Sequence, residues 1–118
     1  MTMVARNSFD TGSAEYTRQE AVNVANAVLR GDLGIIEGAR LLSSLAHRLV
    51  PDWTDDADFV VLCALDSETD HLPVGAQRKR WDPTALVERD ALVQRIETDA
   101  KQDVEAACRN ILQRFGAA

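Results

Sequence analysis

Apolar positions recur at helical spacing through most of the chain, and turn-forming residues break the pattern into four segments. In the first, Ala21, Val24, Ala25 and Val28 share one face. Thr17 and Glu20 before them have the spacing of a capping box, and Gly31 is placed to end the helix. Asp32 is the expected N-cap of a second helix whose apolar face is Ile35, Ala39, Leu42, Leu45 or Ala46, and Leu49, closed by Pro51. The short Gly31-Asp32 connection makes the first two helices neighbours in an antiparallel hairpin. Gly34 and Gly38 weaken the second helix by about 1 kcal/mol each relative to Ala if both are helical. That cost points to close helix packing, or else to close backbone approach to a ligand.

The run Phe59 to Leu65, FVVLCAL, is apolar throughout, so periodicity alone assigns it to neither helix nor strand. Thr54, Asp55 and Asp56 in front of it read as a helix start, and no second strand is present to pair with it, so a short buried helix is expected. The last element starts most clearly. Asp82 is the N-cap, Pro83 fits the first helical position, and Trp81 with Leu86 has the spacing of a hydrophobic staple. Ala85, Leu92, Ile96, Ala100, Val104, Ala107, Ile111 and Phe115 follow mostly four apart, so one long helix reaches Phe115 and Gly116 ends it.

The expected fold is therefore all-α: a small four-helix domain with an N-terminal helical hairpin, a short buried helix, a long polar loop and a long C-terminal helix. Residues 1–13 lack periodicity and read as a flexible leader, with residues 14–118 as a single helical domain. At 118 residues the chain can bury about two-thirds of its unfolded surface without a disulfide or metal. Cys63 and Cys108 sit among apolar neighbours and are expected as reduced, buried thiols. The opening MTMVARNSFDTGS has no signal-peptide layout and no stretch has the length of a membrane span, so the expected location is cytoplasmic, with no membrane partner.

Charge narrows the partners. A net charge of −6 repels a phosphate backbone. Only six aromatic residues are available to stack bases, so nucleic acid is not expected as a partner. A basic protein is favoured by complementary charge.

Between the buried run and the last helix lies DSETDHLPVGAQRKRW, residues 66–81, a long polar segment of the kind that carries function when it occurs in a small domain. Asp66, Glu68 and Asp70 alternate as calcium ligands do, but the sixth and twelfth positions of a calcium loop fall on His71 and Gln77 instead of Gly and an acid. His71 and His47 lack zinc-ligand spacing. No metal or cofactor is expected. Arg78, Lys79 and Arg80 make either a solvated, internally compensated face or a grip on an acidic group. Glu37 and Arg40, three apart on the second helix, can pair with each other or reach Arg78 and Asp66, bracing the loop.

LGIIEGARLLSSL (33–45), DSETDHLPVGAQRKRW and EAACRNIL (105–112) resemble segments of a group of small bacterial proteins of unassigned activity, which share an IEGxR segment and a DSETDxLP…RxxW segment. The resemblance implies a bacterial cytosolic protein and supplies no catalytic residues.

Enzyme motifs are lacking. Ser43 and Ser44 have no nucleophile elbow around them, and GARLLSS and VGAQRKR lack the spacing of a phosphate-binding loop. The leading expectation is a small acidic protein-interaction module, of which a toxin-neutralising immunity protein is one example. Its partner-binding residues would be Asp66, Glu68, Asp70, His71, Arg78 and Arg80, supported by Glu37, Arg40 and Trp81. A helical homodimer serving as a structural or regulatory subunit is the second expectation. A metal-dependent enzyme using Asp66, Glu68, Asp70 and Glu37 is the third.

Overall fold

The computed structural model describes residues 13–116, so the expected leader lies outside the described residues except for Ser13. The described residues form four α-helices and two 3-10 segments: α1 (Ala14–Arg30), α2 (Ile35–Leu49), a 3-10 turn (Trp53–Asp55), α3 (Ala57–Thr69), a 3-10 segment (Gly75–Arg80) and α4 (Pro83–Phe115). No strand occurs among the described residues. The all-α architecture is as the periodicity predicts.

Helix α1 begins a turn earlier than expected. Ser13 is its N-cap, with Oγ accepting from the Tyr16 amide at 3.1 Å. Thr17 is fully buried inside the helix, and its hydroxyl donates to the Ser13 carbonyl at 2.9 Å. The capping box does not form because Ser13 already supplies the cap, and the earlier start lets the Thr17 methyl enter the core with its hydroxyl satisfied. Gly31 ends the helix at φ 82°, and its amide donates to Val28 O at 3.0 Å.

The cap of α2 is a second departure from the expectation. Gly34, not Asp32, occupies the N-cap and has no side chain to offer. Asp32 instead pairs with Arg30 at 3.0 Å. The missing acceptor comes from α4, where Glu97 Oε2 accepts from the Ile36 amide at 3.0 Å. A carboxylate beside a helix N-terminus also meets the favourable end of the helix dipole. Ile36, rather than Ile35, is fully buried, together with Gly38, Ala39, Leu42, Leu45 and Ala46. Gly38 has a packing reason, since a Cβ there would overlap Val28 Cγ2 of α1.

The FVVLCAL run is helical. Asp56 caps α3 by accepting from the amides of Asp58 and Phe59 at 3.1 and 3.2 Å. Phe59, Leu62, Leu65 and Thr69 are buried on one side, while Val60 is 43% exposed on another, so a wholly apolar run is still read out with a helical period. The helix continues to Thr69 and takes Asp66 and Glu68 out of the expected loop.

Asp82 caps α4 through the amides of Thr84 and Ala85 at 3.1 and 3.3 Å. At 33 residues α4 is about 50 Å long. Helix α2 lies between α1 and α3, and α4 packs along all three, most extensively on α1. The core gathers Ala21, Ala25 and Val28 of α1, the buried face of α2, Phe59 and Leu62 of α3, and Val104, Ala107, Cys108 and Ile111 of α4. Burial along α4 is uneven. Its second half enters the core, Val93, Ile96 and Ala100 pack partly against it, and Ala85 and Leu92 stay half-exposed outside it. At the far end Arg114 donates to Asp56 at 2.6 Å and to Asp58 at 2.9 Å, tying the end of α4 to the start of α3. These hydrogen bonds hold the Asp56 carboxyl below the usual carboxylate range.

Both cysteines are free. Cys108 is buried and its thiol is pushed up to about 11, mainly by desolvation. Cys63 is only half-buried, contrary to expectation, and accepts a hydrogen bond from the Ser43 hydroxyl at 3.2 Å. Its α3 position lies between the buried Leu62 and Leu65, at the edge of the core-facing side. No helix among the described residues is long and apolar enough to cross a membrane.

Candidate interaction surface

Residues 70–82 leave α3, pass over the start of α2 and return to begin α4, forming a polar strap rather than a structureless loop. Two apolar residues anchor it, for Leu72 and Pro73 are both buried. Three contacts, two of them polar ties, hold the remainder.

The first tie is Arg40 of α2. One Nη donates to Gln77 Oε1 at 3.0 Å, and the other donates to the carbonyls of Thr69 and of Leu72, the latter at 3.0 Å. A guanidinium thus sits on carbonyls at the C-terminal end of α3, where positive charge is favoured. Asp66 faces it, with Oδ1 3.8 Å from Arg40 Nε. That distance is an ion pair but not a hydrogen bond, and Arg40 Nε is buried without a hydrogen-bond partner.

The second contact is a close approach at Gly75, at φ 59°, a backbone shape that favours glycine. The Glu37 carboxylate lies against it, and a Cβ on Gly75 would come within 2.5 Å of Glu37 Oε2. The third is Arg78, which meets Asp90 of α4 in a two-pronged pair, Nη2 to Oδ2 at 3.0 Å and Nη1 to Oδ1. The hydrogen bond from Arg78 lowers the pKa of Asp90, and that of Arg78 is raised by the same contact.

The nine residues singled out from the sequence therefore separate into two groups. Arg40 and Arg78 hold the strap, Asp66 faces Arg40, and Glu37 lies against Gly75. Glu37 forms no ion pair with Arg40 or Arg78, although it lines a cleft of about 200 Å³ with Arg78 beneath Gly75. Asp70, His71, Arg80 and Trp81 face outward around a groove of about 220 Å³ completed by Leu72, Pro73 and Gln77. Glu68 is exposed on α3 nearby. His71 Nδ1 lies 3.8 Å from Asp70 Oδ1 with both side chains mostly exposed. Trp81 is half-buried and outside the core cluster, and the Arg89 guanidinium stacks over its ring at 5.7 Å.

Sequence reasoning missed Asp90, Gln77, Arg89 and Glu97. Asp90 and Glu97 are ordinary acids on a long helix, and only the path of the strap and the crossing of α4 give them partners. Among the described residues, no three His, Cys, Asp or Glu side chains converge into a group that could hold a metal ion. The acids of the third expectation point apart: Asp66 to Arg40, Glu37 under Gly75, Asp70 beside His71. A larger cleft of about 380 Å³ lies between the end of α1 and α4, but two of its charged groups are already engaged, Arg30 with Asp32 and Glu97 with the Ile36 amide.

Fold and surface together define a small helical domain with a pinned polar strap across one end of its helical hairpin. The family described as "Protein of unknown function (DUF2489)" matches residues 9–111, and the chain belongs to that family. No curated protein and no solved structure matches the chain.

Proposed function

We propose that this domain is a small acidic protein-interaction module whose contact surface is the outer face of the strap. The observation that carries the reading is the division of labour within residues 66–81. Arg40 and Arg78 brace the segment from beneath, which leaves Asp70, His71, Arg80 and Trp81 free of structural duty around an open groove. Ordering polar backbone costs about 1–2 kcal/mol per residue, and a strap ordered before the partner arrives removes that cost from binding. Trp and Arg are also the side chains that most often dominate binding energy at protein interfaces. The net charge of −6 favours long-range encounter with a basic protein, and a toxin neutralised by an immunity-type protein is one example of such a partner in a bacterial cell.

The homodimer reading has less support. Val87 is 70% exposed on the free half of α4, yet it and Leu92 are five residues apart, about 140° around the helix, and so do not form a stripe.

The test uses Glu68→Ser with Asp70→Ser, both exposed. Melting should stay within a few degrees of the parent, since exposed substitutions usually cost under about 0.5 kcal/mol. A partner recovered from the native cell and then purified should bind the variant more weakly, with the larger difference at low salt. A large loss of stability with binding intact would make these acids part of the brace and sink the proposal.

A further inference from the structure

We infer that a basic, extended segment of the partner protein also occupies the groove beside the strap, where α4 crosses the start of α2, with Lys or Arg side chains against Glu37, Glu97 and Glu105. This rests on the interaction reading and names the part of a basic partner that the acidic chain holds.

Charge is the first argument. Among the described residues, most acids are either exposed or paired with a cation: Asp56 and Asp58 with Arg114, Asp66 with Arg40, Asp90 with Arg78. The half-buried acids with no cation within ion-pair distance are Glu20 on α1 and then Glu37, Glu97 and Glu105. Those last three line two clefts that share Gly34 and Glu97, one of about 380 Å³ between the end of α1 and α4, the other of about 200 Å³ under Gly75 of the strap. Glu97 gives one oxygen to the Ile36 amide, a neutral donor. Of the cations in the same clefts, Arg30 is paired with Asp32 and Arg78 with Asp90, which leaves Lys101, exposed to solvent. Among the described residues no acids converge into a group that could hold a metal ion, so separate cations carried on side chains are what these carboxylates suit. The net charge of −6 adds to the attraction.

Shape is the second. Lys and Arg carry a charged head on an apolar stem, and the larger cleft has a wall for each. Val28, Leu29, Leu33 and Ile35 form the apolar wall, and Glu97 and Glu105 stand on the α4 side. The clefts meet at Gly34, the N-cap of α2, which has no side chain to close the way between them; a Cβ there would stand 3.2 Å from Glu97 Oε2. On α4 the lining residues Gln94, Thr98 and Lys101 are exposed, so the backbone of an occupant can lie along the helix while its side chains reach in. Pro73, Val74 and Gly75 of the strap wall the smaller cleft and join this groove to the contact surface assigned above. At about 200 Å³ that cleft is below the roughly 300–1,000 Å³ typical of small-molecule sites, which leaves room for a side chain rather than a free ligand.

The experiment follows backbone amide signals of the full chain by NMR. Four probes are added in turn: a short peptide alternating Lys with Ala, the same peptide with Gln for Lys, the same with Glu for Lys, and spermidine. The Lys peptide should shift residues 28–37 and 94–105, and the effect should weaken with added salt. Glu37→Gln with Glu105→Gln, which keeps side-chain size, should weaken its binding about tenfold while the circular dichroism spectrum and melting stay at parent values. Glu97→Gln alone keeps an oxygen for the Ile36 amide and should weaken binding in the same direction. Equal shifts from the Lys and Gln peptides, tighter binding of the Glu peptide, spermidine bound as tightly as the Lys peptide, or shifts confined to residues 66–71 would each overturn the inference. A purified native partner separates it from the interaction reading. If that partner binds Glu37→Gln with Glu105→Gln like the parent but Glu68→Ser with Asp70→Ser more weakly, the groove is not part of the contact and the interaction reading stands. If both pairs bind it like the parent, the interaction surface itself is refuted.

Discussion

Arg40→Met removes the guanidinium that holds the strap while keeping most of the stem, and its cost can be worked from the contacts. Leu72 O loses its Arg donor, whereas Thr69 O keeps the Leu72 amide at 2.9 Å. The Gln77 side chain is exposed and can turn to water. One under-satisfied carbonyl costs about 1–3 kcal/mol, and loss of positive charge at the end of α3 adds about 0.3–1 kcal/mol. Removing the buried, unpartnered Nε returns part of that, so the net loss should be about 2–3 kcal/mol. For a domain of this size the melting temperature should fall by about 10 °C. Hydrogen exchange should locate the damage, with protection lost first at the amides of Leu72, Gln77 and Trp81, which donate to the carbonyls of Thr69, Val74 and Arg78. Asp66→Asn is the control. Its 3.8 Å contact is long and partly exposed, so it should cost less than about 1 kcal/mol. If Arg40→Met melts within about 2 °C of the parent, or if Asp66→Asn costs as much, the strap is not held by the carbonyl contacts assigned to Arg40.

Val104→Asp should abolish cooperative unfolding near neutral pH, since Val104 is fully buried and a lone carboxylate there costs more than about 4 kcal/mol; Ile96→Asp, at a half-buried position, should be milder, and equal effects would misplace the core. Thiol labelling should distinguish the cysteines: Cys63 should react in the native state, while Cys108, with its thiol pushed up to about 11, should react only when denaturant is added. The Asp56 carboxyl is depressed in the folded state, so its contribution is fully present above the unfolded carboxylate value of about 3.9 and is lost as pH falls through the lower folded value. Stability measured in urea should therefore drop between the parent and Arg114→Met at neutral pH, and the two curves should converge in strong acid; a constant gap down to strong acid would mean that Arg114 acts by packing on Phe115 and Phe59 instead.

Local signals in the sequence were enough to determine the helices and several of their ends. Gly31 and Gly116 end the first and last helices, and Asp82 with Pro83 starts the last, because each acts on the backbone within one turn of itself. The helical state of residues 59–65 was legible from the absence of a pairing strand and from the acids before it. Choices between equivalent local signals were not. Ser13 and Thr17 are both acceptable caps, and core packing around Thr17 decided between them. Asp32 was a sound local cap for α2, but Glu97, distant in sequence, reached the free amide once α4 crossed that end. The candidate surface follows the same rule. Its residues were visible as a charged, aperiodic stretch, and the stretch carries no record of which charges turn inward. Arg40 under the strap, Glu37 against Gly75 and Asp90 opposite Arg78 are long-range contacts fixed by where the helices pack, and that packing alone separates the residues that brace the strap from those that face outward.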